Sequence, residues 1–213
     1  MTPQTQTDHE VLYAADPMCT WCWGFAPVSL ELQKAVEGKA GFRVLAGGLA
    51  LNPGGPMHAG EVEVMLAEWH RVHAATGQPF DFDHPVDTTT VYDSGPACRA
   101  LALMQREQPV HGLAYLHALQ HAFYVERKDL SRTEALCDAA SACGADADAF
   151  ARRLAEPDAG KAFDDDLWVT ENYGLRSFPT VALRLRQRHV LLTVGYRPWK
   201  DLAPHVERWL ATP

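Results

Sequence analysis

The chain has 213 residues, 47% of them hydrophobic and 22% charged, with a formal net charge of −8 and a pI of about 5.6. That supplies a core for one large domain or a domain with a substantial insertion, and the acidic balance argues against nucleic acid or an anionic membrane surface as partner. No stretch reaches the roughly 18 apolar residues of a membrane-spanning helix, and the polar start at 1–9 has no basic or apolar leader region, so a cytoplasmic protein is expected.

Residues 10–15 (EVLYAA) read as a strand buried on both faces. Asp16 and Pro17 follow as a helix cap and first-turn proline, and the helix they open runs to about residue 36, where Gly38 and Gly41 stop it. Residues 42–46 (FRVLA) form the second strand, giving β–α–β, and NPGGP at 52–56 is a loop. From 60 to about 156 the periodicity is helical. Segments cover 62–75, from Ser94–Gly95–Pro96 through Met104, 110–126, a helix opened by Ser131 and Glu134 at capping-box spacing, and 147–154. A helix at 157–173 ends at Gly174. Strands at 180–186 and 190–194 flank the turn Gln187–Arg188–His189, and an amphipathic helix at 199–210 closes the chain. Without its helical middle the order is β–α–β, then α–β–β–α, the order of the thioredoxin fold. The expected class is α/β, with a thioredoxin-like domain at 1–55 and 158–213 interrupted by an all-helical insertion at 56–157.

The five cysteines, Cys19, Cys22, Cys98, Cys137 and Cys143, are odd in number and too scattered for a disulfide framework. Cys19 and Cys22 form a C-x-x-C after a strand and at a helix start. There the free backbone N–H groups and the helix dipole favour a thiolate, the nucleophile of disulfide exchange. Cys19 is therefore the expected nucleophile and Cys22, one turn deeper, the resolving thiol. Half a zinc site is the alternative, but no second C-x-x-C or paired histidine motif follows; two inert buried thiols are the other.

The stretch DPMCTWCWGF at 16–25 resembles the active-site segment of DsbA-family proteins in the predicted disulfide-isomerase branch. Pro27, eight residues after Cys19, matches the kink proline of such helices, and YGLRSFPT at 173–180 is similar to the family's approach to its third strand. The resemblance implies that Pro179 is cis and faces the cysteines, so that the backbone at Phe178 docks a bound thiol or peptide. Trp21 and Thr20, between the cysteines, are candidate substrate contacts. Thr20–Trp21 stands where strongly oxidising members carry Pro–His, and a reducing cytosol favours reductase or isomerase chemistry.

Expected partners are protein or small-molecule thiols and disulfides, with no cofactor beyond glutathione as a co-substrate and the oligomeric state open. Two rivals remain: a glutathione-dependent isomerase or transferase, whose family members usually carry serine where Cys19 stands, and a non-catalytic redox-responsive binding module. Trp23 and Cys98 are expected to be buried, and Cys137 and Cys143, six positions apart, not to be bridged within a helix. The pairs His117/His121 and His70/His73 lack the partners of a metal site, and Asp164–Asp165–Asp166 reads as a solvated helix face.

Overall fold

A computed structural model of the protein describes residues 8–84 and 91–213; the leaderless reading of the N-terminus falls on residues mostly outside these. One four-stranded sheet has the order β2-β1-β3-β4. The inner strand β1 (His9–Ala15) pairs parallel with β2 (Gly41–Ala46) and antiparallel with β3 (Thr180–Leu185), which pairs antiparallel with β4 (Arg188–Val194). Burial of β1 is complete from Val11 onward because it lies inside the sheet and both of its faces are covered, which explains the unbroken apolar run.

Helix α1 (Thr20–Val36) connects β1 to β2. Between β2 and α7 (Pro157–Asn172) the chain makes α2 (Ala59–Thr76), α3 (Gly95–Glu107), a 3-10 turn (Pro109–His111), α4 (Gly112–Tyr124), α5 (Thr133–Ala142) and α6 (Ala147–Leu154). Helix α8 (Trp199–Leu210) packs on α1 and β4. One buried cluster runs from Val11 and Tyr13 of the sheet through Phe25 and Leu32 of α1 to Leu101, Leu116, Leu136 and Phe150 of the helical segment. The other sheet face buries Leu12, Ala14, Leu45 and Ala182. A third cluster, Trp23, Ala26, Trp69 and Tyr124, joins α1 to α2 and α4. At about 1.5–3 kcal/mol per fully buried large side chain, that third cluster is a major tie between the helical segment and the cysteine-bearing helix.

The structure corrects three local expectations. Helix α1 starts at Thr20 with Cys19 as its N-cap, not at Asp16, because Asp16 folds back and accepts a hydrogen bond from Met18 N at 2.8 Å. The box at Ser131 and Glu134 does not form: Ser131 N donates to Asp129 Oδ1 (2.9 Å), and the N-cap of α5 is Arg132, one residue later. A capping box forms instead at α2, where His58 and Glu61 bond reciprocally. The hairpin turn is Arg186–Gln187, with Arg186 at φ 56°, and Arg188 and His189 belong to β4.

Candidate active site

The end of β1 delivers Asp16, Pro17 and Met18, and then Cys19 at the N-cap of α1. A turn positions it: Cys19 N donates to Asp16 O and Trp23 N donates to Cys19 O, each at 3.1 Å. Cys19 is 6% exposed, whereas Cys22, one turn on, is fully enclosed. Burial pushes the Cys22 thiol well above the ordinary cysteine range, and its hydrogen bond to Cys19 acts in the same direction. Across from Cys19 the peptide bond Phe178–Pro179 is cis, and the Cys19 thiol lies 3.6 Å from the Phe178 carbonyl oxygen, aimed to donate. The chain thus brings together Cys19, Cys22, Phe178 and Pro179 from opposite ends of the sequence.

Asp16 is the buried anchor of this arrangement. Its carboxylate accepts from Met18 N (2.8 Å), Leu49 N (2.6 Å) and the Cys98 thiol (3.2 Å), tying together the cysteine turn, the segment after β2 and the start of α3. Desolvation raises its pKa, and these donors oppose the rise. Cys98 is fully buried, as expected, and burial raises its thiol strongly; its proton is committed to Asp16. Three tyrosines, Tyr13 and Tyr124 buried and Tyr92 partly buried, are all driven up by desolvation and complete the wall: Tyr13 lies against Cys22, Tyr92 donates to Met18 O, and Tyr124 donates to Thr20 Oγ1 at 3.5 Å.

Thr20 therefore faces the interior. Trp21 is half-buried, stacks at a tilt on Tyr196 (centroids 5.9 Å apart) and donates its indole N–H to Glu68. Trp23 is buried, donating to Pro79 O at 2.8 Å and stacking on Tyr124. Gly47, which belongs to no motif, lies so close to the Phe178 ring that a Cβ there would stand 2.4 Å from it. Its only sequence signal was the Gly47–Gly48 pair ending β2, and Asp16 was signalled only by a carboxylate directly after an apolar strand.

The remaining titratable residues lie elsewhere. His117 bonds Ser29 at 3.0 Å, and burial lowers its pKa to about 4; His121 pairs with Glu126, and His70 stacks on Phe82. Among the described residues no group of three or more His, Cys, Asp or Glu side chains could hold a metal ion. Cys143 donates to Ala139 O and Ala140 O, and it and Cys137 are both free thiols. The solvated reading of the acidic run fails at Asp166, which is 3% exposed, pairs with Arg43 at 2.7 Å and accepts from Ala46 N.

No helix among the described residues is long and apolar enough to cross a membrane. The sequence is similar to the ClpXP adapter protein SpxH of Shouchella clausii, 26% identical over 172 residues, which are 80% of this chain and 56% of that protein. The chain thus spans little more than half the length of the curated relatives it matches. Its structure superposes on a protein from Nitrosomonas europaea provisionally called a protein disulfide isomerase, with 29% identity, a TM-score of 0.87, and 95% and 97% of the two chains covered. It also matches the cytosolic disulfide reductase DsbM of Pseudomonas aeruginosa, solved with glutathione, at 28% identity and a TM-score of 0.70, covering 95% and 96%. The thioredoxin family model matches residues 13–188, most of the chain, including both cysteines and the Phe178–Pro179 pair. With that match, the four-stranded sheet and the helical segment inserted before α7, the chain belongs to the thioredoxin family, in its DsbA-like branch.

Proposed function

We propose that the protein is a cytoplasmic thiol–disulfide oxidoreductase working chiefly as a reductase, with glutathione as the thiol that regenerates it. One observation carries this reading: the Cys19 sulfur stands at a helix N-terminus, opposite the Phe178 carbonyl, with a fully enclosed second thiol one turn behind it. The Cys19 thiolate attacks one sulfur of a substrate disulfide, whose bond breaks and whose other sulfur leaves as a thiolate that takes a proton. The Cys22 thiolate then attacks the Cys19 sulfur and releases the second substrate thiol. Two electrons pass to the substrate, and Cys19 and Cys22 become joined. Two glutathione-class thiols restore the pair and leave as one disulfide. The Phe178 carbonyl and the half-buried Trp21 and Tyr196 rings provide the docking surface for the attacking partner. Burial raises the Cys22 thiol above the ordinary cysteine range and encloses its sulfur, so the first attack belongs to Cys19. Glutathione in the DsbM complex and the cytosolic designation of that protein support the choice of co-substrate and compartment.

In a small-disulfide reduction assay with glutathione, Cys19→Ser is expected to lose all turnover, and Cys22→Ser to accumulate a mixed disulfide visible by mass spectrometry. Unchanged turnover in Cys19→Ser would rule the reading out. Full turnover in Cys22→Ser without any trapped adduct would favour a glutathione-dependent isomerase instead.

A further inference from the structure

Behind the cysteine pair the side-chain donors are nearly all committed. Tyr92 Oη donates to Met18 O, Tyr124 Oη to Thr20 Oγ1, and the Cys98 thiol to Asp16 Oδ2. Tyr13 Oη is the exception. It is shut off from solvent, and no hydrogen-bond partner among the described residues meets it. A buried hydroxyl left without an acceptor is costly, so its retention calls for a reason.

Its position supplies one. Side chains alternate along β1, so Val11, Tyr13 and Ala15 face α1 while Leu12 and Ala14 face the other side of the sheet. The Tyr13 ring tilts against Phe25, with centroids 5.6 Å apart, and Phe25 follows Cys22 by three residues on the same face of α1. The hydroxyl therefore lies against the Cys22 sulfur, yet without hydrogen-bond geometry to the neutral thiol. A thiol sulfur is a weak acceptor, whereas a thiolate is a strong one. Cys22 has to ionise in full enclosure when it resolves the mixed disulfide. Of the groups about it, the Asp16 backbone favours the thiolate, and the Asp16 carboxylate and Cys19 oppose it. Burial holds the Tyr13 phenol well above its ordinary range, so it donates without giving up its proton.

We propose that the Tyr13 hydroxyl is a catalytic donor to the Cys22 sulfur, uncommitted in the resting dithiol and engaged when that sulfur carries charge. This rests on the disulfide-exchange reading and deepens it. In the resolving step Cys22 loses its proton and its sulfur accepts from Tyr13 Oη–H. The Cys22 thiolate bonds to the Cys19 sulfur as the bond from Cys19 to the substrate breaks. The substrate leaves with the electron pair of that bond and takes up one proton, balancing the one that Cys22 lost. On regeneration a glutathione-class thiolate attacks Cys19, and Tyr13 donates to Cys22 as the departing sulfur.

Tyr13→Phe removes the oxygen and keeps the ring on Phe25. Rapid-quench mass spectrometry with bis(2-hydroxyethyl) disulfide follows the mixed disulfide at Cys19. Tyr115→Phe is the comparison, a buried tyrosine whose hydroxyl is spent on Leu136 O at 3.0 Å. In Tyr13→Phe the first attack is expected at the parent rate, with the mixed disulfide decaying about tenfold more slowly. The pH profile of that decay moves upward, and the denaturant midpoint is unchanged or higher. Tyr115→Phe shows the reverse, a lower midpoint with parent-like decay. Parent-like decay in Tyr13→Phe, or equal slowing in Tyr115→Phe, overturns the proposal. If Tyr13→Phe does not fold, the reduced parent labelled with ¹³Cζ-tyrosine decides: the Tyr13 signal moves as Cys22 ionises, and a static signal overturns the proposal. Failure of the exchange reading is seen separately, as a Cys22→Ser protein that traps no mixed disulfide.

Discussion

The reach of a single residue is clearest at Gly47. An alanine Cβ there would stand 2.4 Å from the Phe178 ring, well inside any real contact, and the ring is held beside the carbonyl that faces Cys19. Gly47→Ala must displace Phe178, at a cost of about 1–3 kcal/mol from overpacking. The expected result is a roughly tenfold lower kcat/KM for disulfide reduction with circular dichroism unchanged; parent-like kinetics would show that the Phe178 position is immaterial. This residue illustrates what could be read in advance. Cys19 and Cys22 were legible because their chemistry depends on local spacing and on a strand-to-helix context. Pro179 and Phe178 were legible through a motif. Gly47 and Cys98 owe their importance to contacts across the fold, with Phe178 and with Asp16, and no local pattern encodes them. An Asp–Pro pair before a helix usually caps it, but the tertiary donors Leu49 N and Cys98 give Asp16 other work.

At the scale of elements, helix α2 of the inserted segment rests directly on α1. Gly24, in the middle of α1, makes this possible: a Cβ there would lie 2.8 Å from Val72 Cγ1 and 3.1 Å from Thr76 Cγ2. The propensity of alanine favours α1 by up to about 1 kcal/mol, but the clash opposes it with about 1–3 kcal/mol, so contact wins over propensity. Gly24→Ala is expected to lower the denaturant midpoint, and Gly24→Ala with Val72→Ala to recover most of the loss; a stabilised single variant would mean that α2 yields freely. Helix existence was legible nearly throughout, and α6 and α8 match their expected bounds, because amphipathic periodicity is a local property. Helix starts were less so. The box at Ser131 lost to a competing turn at Asp129, and the one at His58 used a residue that seldom caps.

At the scale of the whole molecule, the sheet order and its buried central strand followed from element order, since β–α–β and a hairpin leave few ways to assemble one sheet. The side chains that seal its edge, Gln105 and Asp166, did not, because their partners lie 61 and 120 residues away in sequence. Global stability also carries a pH signature. His117 is held neutral by burial, with a folded pKa of about 4 against 6.5 for the free side chain. Above the unfolded value neither state is charged. Between about 6.5 and 4 the unfolded chain takes up a proton that the folded one refuses, so stability falls as the pH drops through this window. At about 1.4 kcal/mol per pH unit the loss is on the order of 2–3 kcal/mol for this partly exposed ring. Urea midpoints at both ends of the window are expected to show it, and His117→Gln to flatten it; an equally steep fall in the variant would place the effect on other groups.

The two indole rings on either side of Cys22 have an optical consequence. Trp21 lies toward the surface beside Tyr196 and Trp23 lies inside against Tyr124, one on each flank of the sulfur that closes the pair. A disulfide quenches nearby tryptophan emission more strongly than two thiols do. The chain therefore carries a built-in lamp that dims on oxidation and brightens on reduction, and its redox midpoint can be followed by fluorescence without attaching a dye.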